Sequence, residues 1–178
     1  MIPAKLYGLM AEFRTGEELL AATQRAYEAG YRDMDAYSPM PVHGLDDALG
    51  FHRTAVPPVV LAGGLVGAAT GFGLCHYMSQ IAYAHNVGGR PLFSWPAYIP
   101  VTFEMAVLIA SFSAVIGMLA MNGLPRPYHP VFNNPRFDRA SHDRFFLCIE
   151  AVDTRFELDR TREFLESLKP YEVTAVNA

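Results

Sequence analysis

The chain has 178 residues, a net charge of −4 and a mean hydropathy only slightly above zero, a balance that fits one ordinary domain. Its acidic charge and the lack of any basic run exclude the composition of a nucleic-acid-binding protein. The charges are unevenly distributed, however. Of 14 Lys and Arg and 18 Asp and Glu residues, only Arg90 and Glu104 lie between positions 55 and 122. The middle of the chain is therefore expected to lie in a different solvent from its ends.

The N-terminal flank predicts a strand, a helix and a second strand. KLYGLMAEF alternates as a strand does, and Thr15 followed by Glu18 predicts a capping box at the start of a helix that Gly30 ends. The helical stripe expected to face a core consists of Leu19, Leu20, Thr23, Ala26 and Tyr27. YRDMDAYSPM then predicts the second strand, which Pro39 and Pro41 stop.

The junction YSPMPVHGLDDALGFHRT joins this flank to the apolar middle. Its prolines enforce extended backbone, Gly44 allows a tight turn, and Asp46 or Asp47 is expected to cap a short helix. His43 with Asp46 is also a candidate proton-relay pair. A purely structural junction is the favoured interpretation of these residues.

Two apolar runs follow, at about positions 58–80 and 98–121. At about 1.5 Å per residue each is long enough to cross a hydrocarbon core of roughly 30 Å. Two adjacent runs of this length favour a transmembrane hairpin over a buried helix pair in a soluble protein. In the first run Gly63, Gly67 and Gly71 recur every four residues, which aligns them in one groove for close helix packing. The second span, a helix of another subunit, or both would fill that groove.

Flanking charge predicts the orientation of the hairpin. Four arginines lie before the first run or after the second, on the side away from the connecting loop: Arg53, Arg126, Arg136 and Arg139. The connecting loop, residues 85–97, holds only Arg90, so the positive-inside rule places both termini in the cytoplasm. Trp95 and Tyr98 are expected in the outer aromatic belt. The N-terminal sequence lacks the pattern of a signal peptide, and both cysteines, Cys75 and Cys148, are expected to be free thiols.

Glu104 is the one carboxylate within the apolar runs. It lies near the outer end of the second run, where a carboxylate reaches headgroup water or caps the start of a helix. An intramembrane carboxylate also marks sites of proton handling, and such a side chain usually faces protein rather than lipid. Glu104 is therefore a candidate proton-handling residue, with capping or packing as the favoured interpretation.

The C-terminal flank repeats the order strand, helix, strand. DRFFLCIEAV predicts a strand, DTRFELDRTREFLESLK a helix that stops at Pro170, and YEVTAV a last strand. The helix is expected to bury Phe156, Phe164, Leu165 and Leu168. The predicted fold is an α+β membrane protein. A hairpin of residues 55–122 is inserted in a split ferredoxin-like (βαβ–βαβ) cytoplasmic domain of residues 1–54 and 123–178. Two separate small units docked on a partner are the alternative.

The sequence predicts no catalytic, cofactor-binding or metal-binding residue in this chain. His76 is the one histidine well inside a span, and a structural role is favoured over haem ligation. Spacings typical of c-type haem, iron–sulfur clusters, nucleotide loops or nucleophile elbows do not occur.

Three segments resemble a known family in the same order: PMPVHGLDDALG, GGRPLFSWPAYIPVTFE and HDRFFLCIEA. Along essentially its full length the chain is similar to the ActD subunits of bacterial alternative complex III. That complex is a membrane quinol oxidoreductase that passes electrons to a cytochrome c or a high-potential iron–sulfur protein. The proline-valine-histidine-glycine-leucine-aspartate junction is the most specific of the three matches.

The resemblance implies a non-catalytic accessory subunit in the bacterial inner membrane, with two spans and both termini cytoplasmic. It implies that c-type haem, iron–sulfur clusters and quinol are bound by partner subunits. The hairpin would contact lipid and the large multi-span, quinol-handling subunits, and the cytoplasmic domain would cover their inner face. An assembly or regulatory factor of the complex remains an alternative, and an independent small transporter is a further, less favoured one.

Overall fold

The computed structural model describes residues 6–51 and 54–178, and the chain divides into two compact units. One unit consists of Met1–Arg53 and Pro127–Ala178, and the other of Thr54–Arg126. Arg53, one of the charges used to predict orientation, lies outside the described residues. The helices and strands are β1 (Leu6–Phe13), α1 (Gly16–Glu28), β2 (Met34–Tyr37), α2 (Leu45–Leu49), α3 (Val56–Tyr77), α4 (Ile99–Met121), β3 (Phe145–Glu150), α5 (Leu158–Ser167) and β4 (Glu172–Asn177).

Helix α1 begins where the sequence predicts. The hydroxyl of Thr15 accepts from the backbone N–H of Glu18, and the Glu18 carboxylate accepts from the backbone N–H of Thr15, so the capping box is confirmed. The buried residues of the helix are Leu19, Ala22, Thr23 and Ala26. Leu20 and Tyr27 are only partly buried, because the 3.6-residue period brings Ala22 rather than Leu20 onto the core face.

The four strands form one antiparallel sheet in the order β2-β3-β1-β4. The central pair is β1 and β3, with Met10 opposite Cys148. Strand β2 is shorter than the predicted ten residues. The backbone N–H groups of Arg32 and Asp33, just before it, donate to the carboxylate of Asp153 rather than to a neighbouring strand.

Helices α1 and α5 cover one face of this sheet. Its core consists of Leu9, Ala11, Phe13, Leu19, Ala22, Ala26, Tyr31, Met34, Phe145, Leu147, Ile149 and Leu165. Each half of the unit therefore contributes one helix and two strands to a shared core. This explains why neither half is expected to be stable alone.

The opposite face is covered by a segment that the sequence did not predict as structured. Two short 3₁₀ turns, Pro130–Asn133 and Phe137–Ser141, lie on it. The second core consists of Met10, Val131, Phe137, Ala140, Phe146, Cys148 and Val176. Because both faces are covered, β3 is apolar without alternation from Phe145 to Ile149.

The start of α5 differs from the prediction. The helix begins at Leu158 rather than near Asp153, because the Asp153 carboxylate organises a turn by accepting the backbone N–H of Arg155. Phe156 therefore precedes the helix, although it still packs against the core beneath α1 and α5. The helix ends at Ser167, and Lys169 takes a left-handed conformation (φ 56°) just before Pro170.

Asp153 links the two halves of the sheet unit. Its buried carboxylate accepts three backbone N–H groups, at 2.6 Å from Arg32, 2.9 Å from Asp33 and 2.7 Å from Arg155. Burial alone would raise the pKa of Asp153, but these hydrogen bonds and the nearby Arg155 charge lower it below the usual value.

Replacing Asp153 with Asn is expected to lower the free energy of unfolding by about 2 kcal/mol at neutral pH. The folded pKa lies below the unfolded value of about 3.9, so the carboxylate's contribution is complete above that value. It is lost as the pH falls through the folded pKa. Thermal unfolding of both proteins from pH 7 to pH 3 checks this. If the two proteins differed in stability by the same amount at every pH, that result would contradict an ionic role for the Asp153 carboxylate.

Cys148 is fully buried in the second core, and burial raises the pKa of its thiol to about 12. At pH 8 only about one thiol in ten thousand would be ionised, and the thiolate is the reactive form. We therefore expect no maleimide labelling of Cys148 in the folded protein and complete labelling in urea. Mass spectrometry of the peptides measures this, and rapid labelling of the folded chain would contradict the burial.

The second unit is a helical hairpin in which α3 packs along α4. Helix α3 continues as a π-helical turn at Met78–Ala82, and a 3₁₀ turn at Trp95–Tyr98 leads into α4. The two continuous helices, Val56–Ala82 and Trp95–Met121, are long and apolar enough to cross a membrane. Most of their side chains are exposed in the single chain, unlike those of a soluble core helix.

Candidate functional site: the helical hairpin and the polar clusters of the sheet

The predicted glycine stripe lies on the face of α3 that contacts α4. Gly63, Gly67 and Gly71 are the buried residues of α3. A methyl group at Gly67 would overlap the carbonyl oxygen of Met105, and one at Gly63 would overlap the hydroxyl of Ser113. At Gly71 it would lie 2.9 Å from the Met105 Cβ. The glycines thus allow the two backbones to approach closely.

A hydrogen-bonded aromatic cluster lies at the loop end of the hairpin. The hydroxyl of Tyr98 contacts the Ser79 hydroxyl and donates to the backbone carbonyl of Leu92 at 3.1 Å. The Tyr98 ring lies edge-on to Phe72 and Phe93. Tyr98 is therefore buried within the hairpin, and its place at the level of an outer aromatic belt stays a prediction. Pairing its hydroxyl inside the protein is what permits this burial.

His76 lies next to that cluster on α3. The side-chain amide of Gln80 donates to His76 Nδ1 at 2.8 Å, and the imidazole ring meets Phe93 edge-on. Among residues 6–51 and 54–178, no group of three or more His, Cys, Asp or Glu side chains is arranged to hold a metal ion. That cofactors are bound by other subunits stays a prediction.

Glu104 is exposed on α4, away from the face that contacts α3. In the described part of the chain its carboxylate has neither a hydrogen-bond nor an ion-pair partner. The hairpin itself therefore supplies no polar cavity around Glu104.

His43 and Asp46 belong to the sheet unit, and both are exposed. No hydrogen bond joins them within the described ranges. Helix α2 begins after Gly44, which has a left-handed conformation (φ 80°), and no side chain caps it. The expected aspartate cap is wrong, because Asp46 and Asp47 lie inside the first helical turn.

Sequence reasoning missed a buried carboxylate on β1. Glu12 accepts two hydrogen bonds from Arg136, at 2.7 and 2.9 Å, and the Nε of Arg144 lies 3.3 Å away without hydrogen-bond geometry. The Glu12 side chain is only 4% exposed. This pairing raises the pKa of Arg136. The signal was the position of Glu12, two residues after Met10 on the same face of the strand.

A second polar cluster lies on the same face of the sheet. The hydroxyl of Tyr7 donates to Glu150 at 2.6 Å and lies 3.4 Å from His129 Nε2. His129 Nδ1 accepts the backbone N–H of Val131, so Nε2 carries the proton and donates to Tyr7. Burial, and then the hydrogen bond to Glu150, raise the pKa of Tyr7. The cluster fixes the start of the segment that covers this face.

Two comparisons with known proteins give different results: one finds no match and the other finds a family. No curated protein matches the chain. The family model described as "Alternative complex III, ActD subunit" matches residues 7–175, which include both halves of the sheet unit and the whole hairpin. The chain therefore belongs to the ActD subunit family of alternative complex III.

Proposed function

We propose that the chain is a non-catalytic, cofactor-free accessory subunit of a quinol-oxidising alternative complex III. The family match over residues 7–175 is the observation that carries this proposal. Two apolar helices whose outer faces are not covered by other described residues support it, because such faces need lipid or other helices around them. The c-type haems, iron–sulfur clusters and quinol are then bound by partner subunits.

The hairpin crosses the bacterial inner membrane twice in this proposal. Both termini lie in the cytoplasm, and the loop of residues 85–97 lies outside. The helix faces opposite the glycine stripe contact lipid and the multi-span, quinol-handling subunits. The sheet unit is a split ferredoxin-like domain. Its antiparallel order β2-β3-β1-β4, with α1 and α5 packed on one face, supports that arrangement.

Purification through a C-terminal tag in mild detergent tests the accessory role. We expect a haem-containing complex that oxidises quinol and holds one copy of this chain per complex. Recovery well below one copy would instead indicate an assembly or regulatory factor. A small colourless homo-oligomer would contradict the proposal and point to an independent membrane protein.

The proposal has a second, more specific part, which is a role for Glu104 in proton movement. His43 and Asp46 would serve on the cytoplasmic side. The lack of a partner for Glu104 within the described residues leaves its carboxylate for a neighbouring subunit. We expect Glu104→Gln to lower the number of protons released per quinol oxidised, while the turnover per haem and the composition of the complex stay close to those of the wild type. Unchanged oxidation and proton release would remove this role.

A further inference from the structure

A group of basic side chains surrounds one exposed tyrosine at the start of β4. The guanidinium carbons of Arg14, Arg136 and Arg144 lie 4.9, 4.9 and 5.0 Å from the centre of the Tyr171 ring. The side chain of Lys169 lines the same depression. We call these five residues the arginine–tyrosine patch. On a chain with a net charge of −4, it is a local concentration of positive charge.

Not all of these cations are neutralised within the chain. Arg136 pairs with Glu12 and, at 3.2 Å, with the exposed Glu172, while Arg144 lies near Glu12 and Asp143. Arg14 and Lys169 have no ion-pair partner among the described residues. The Arg14 guanidinium lies against the Tyr171 ring. Two cations thus remain for an anion from outside the chain.

The surroundings of these two cations form a shallow depression of about 460 Å³. Its lining includes Glu18, but that carboxylate already accepts the backbone N–H groups of Arg14 and Thr15 in the capping box. Tyr171 is 47% exposed, and its backbone N–H donates to the Glu12 carbonyl at 2.7 Å, which fixes it against β1. The depression is therefore open, basic and held by ordered backbone.

We propose that the arginine–tyrosine patch docks an acidic segment of a neighbouring subunit. This inference rests on the proposed function, since it requires the assembled complex. Exposed arginine and tyrosine side chains are the residue types that dominate protein interfaces, and the arginine fork matches a carboxylate. The patch also lies where β4, an edge strand, begins. A peptide segment is able to use that strand edge as well as the cations, whereas a lipid headgroup cannot pair with a strand.

Zero-length cross-linking of the purified complex tests this docking directly. A carbodiimide joins a lysine amine to a carboxylate in contact with it, forming an amide bond with loss of water. Lys5 and Lys169 are the only lysines in the sequence, so cross-linked peptides are readily assigned. We expect Lys169 to be joined to an Asp or Glu of another subunit. Lys169→Arg should abolish that cross-link while the complex keeps its composition.

Charge reversal provides an independent measurement. The double variant Arg14→Glu with Lys169→Glu is expected to release the chain from the complex at a salt concentration at least twofold lower than the wild type. The double variant Arg160→Glu with Arg162→Glu is the matched control, because both arginines are exposed on α5 and have no ion pair in the described ranges. Equal retention of the double variant and the wild type would contradict the docking.

The possible outcomes distinguish a failure of the docking site from a failure of the proposed function on which it rests. A chain that is absent from the purified complex would contradict the proposed function itself. A chain that is present, but whose Lys169 reacts freely with a water-soluble acylating reagent, would overturn only the docking site. Protection of Lys169 that disappears when the complex is delipidated would assign the patch to anionic lipid, and would overturn a protein partner.

Discussion

Gly67→Leu is expected to separate the two helices of the hairpin. Even a methyl group at this position would overlap the backbone carbonyl of Met105, and Ala106 Cα lies only 2.8 Å from the same point. Because the obstacle is backbone, the helices must move apart. Overpacking of this kind costs about 3 kcal/mol. We expect a several-fold lower yield of the chain in the purified complex and a lower melting temperature.

Gly73→Leu is the matched control for that prediction. Gly73 lies on the same helix, but apart from the adjacent turns of that helix nothing in the described structure lies within 4 Å of a Cβ placed there. The same leucine should therefore leave yield and melting temperature close to those of the wild type. If both variants behave alike, the close approach of α3 and α4 at Gly67 does not stabilise the hairpin. Loss of the Gly73 variant alone would show that its face contacts another subunit.

Glu12→Ala is expected to destabilise the sheet unit by about 3 kcal/mol. The substitution leaves Arg136 and Arg144 beside the second core without their shared carboxylate. Arg144 is the more enclosed of the two, with a side chain only 16% exposed. Removing one partner of a buried ion pair costs more than the pair itself contributes. Hydrogen exchange of β1 and β3 amides in the full-length chain should accelerate about a hundredfold.

Glu172→Ala serves as the control for the buried pair. Glu172 also pairs with Arg136, but its side chain is 46% exposed, and exposed ion pairs contribute between about 0 and 1 kcal/mol. Exchange rates in β1 and β3 should therefore change by less than about fivefold. A loss as large as that of Glu12→Ala would mean that burial of the Glu12 carboxylate is not what makes the pair important.

The predictable parts of the fold are those set by local patterns. The capping box at Thr15 and Glu18 and the two apolar helices follow from spacing and composition, and each lies where the sequence indicates. Boundaries that depend on tertiary contacts cannot be predicted from such local patterns. Strand β2 is cut short, and α5 starts late, because one carboxylate, that of Asp153, takes the backbone N–H groups on both sides.

The covering of the second sheet face illustrates the same limit. The segment at Pro130–Ser141 has neither helical nor strand periodicity, so nothing in its sequence predicted a packed layer. Its role arises from long-range contacts, such as those of Arg136 with Glu12. Among the candidate functional residues, the glycine stripe was recognisable because spacing by four fixes one helix face. By contrast, no pattern in the sequence identifies the neighbour of Glu104.

The most direct test of the accessory role compares haem-containing complex assembled with and without this chain. Both preparations are isolated through a tag on a haem-bearing subunit, and quinol oxidation is measured per haem. We predict turnover per haem within about twofold in the two preparations, together with a lower yield or melting temperature when the chain is missing. An intact haem spectrum with quinol oxidation abolished would contradict the account, because the chain would then take part in the chemistry.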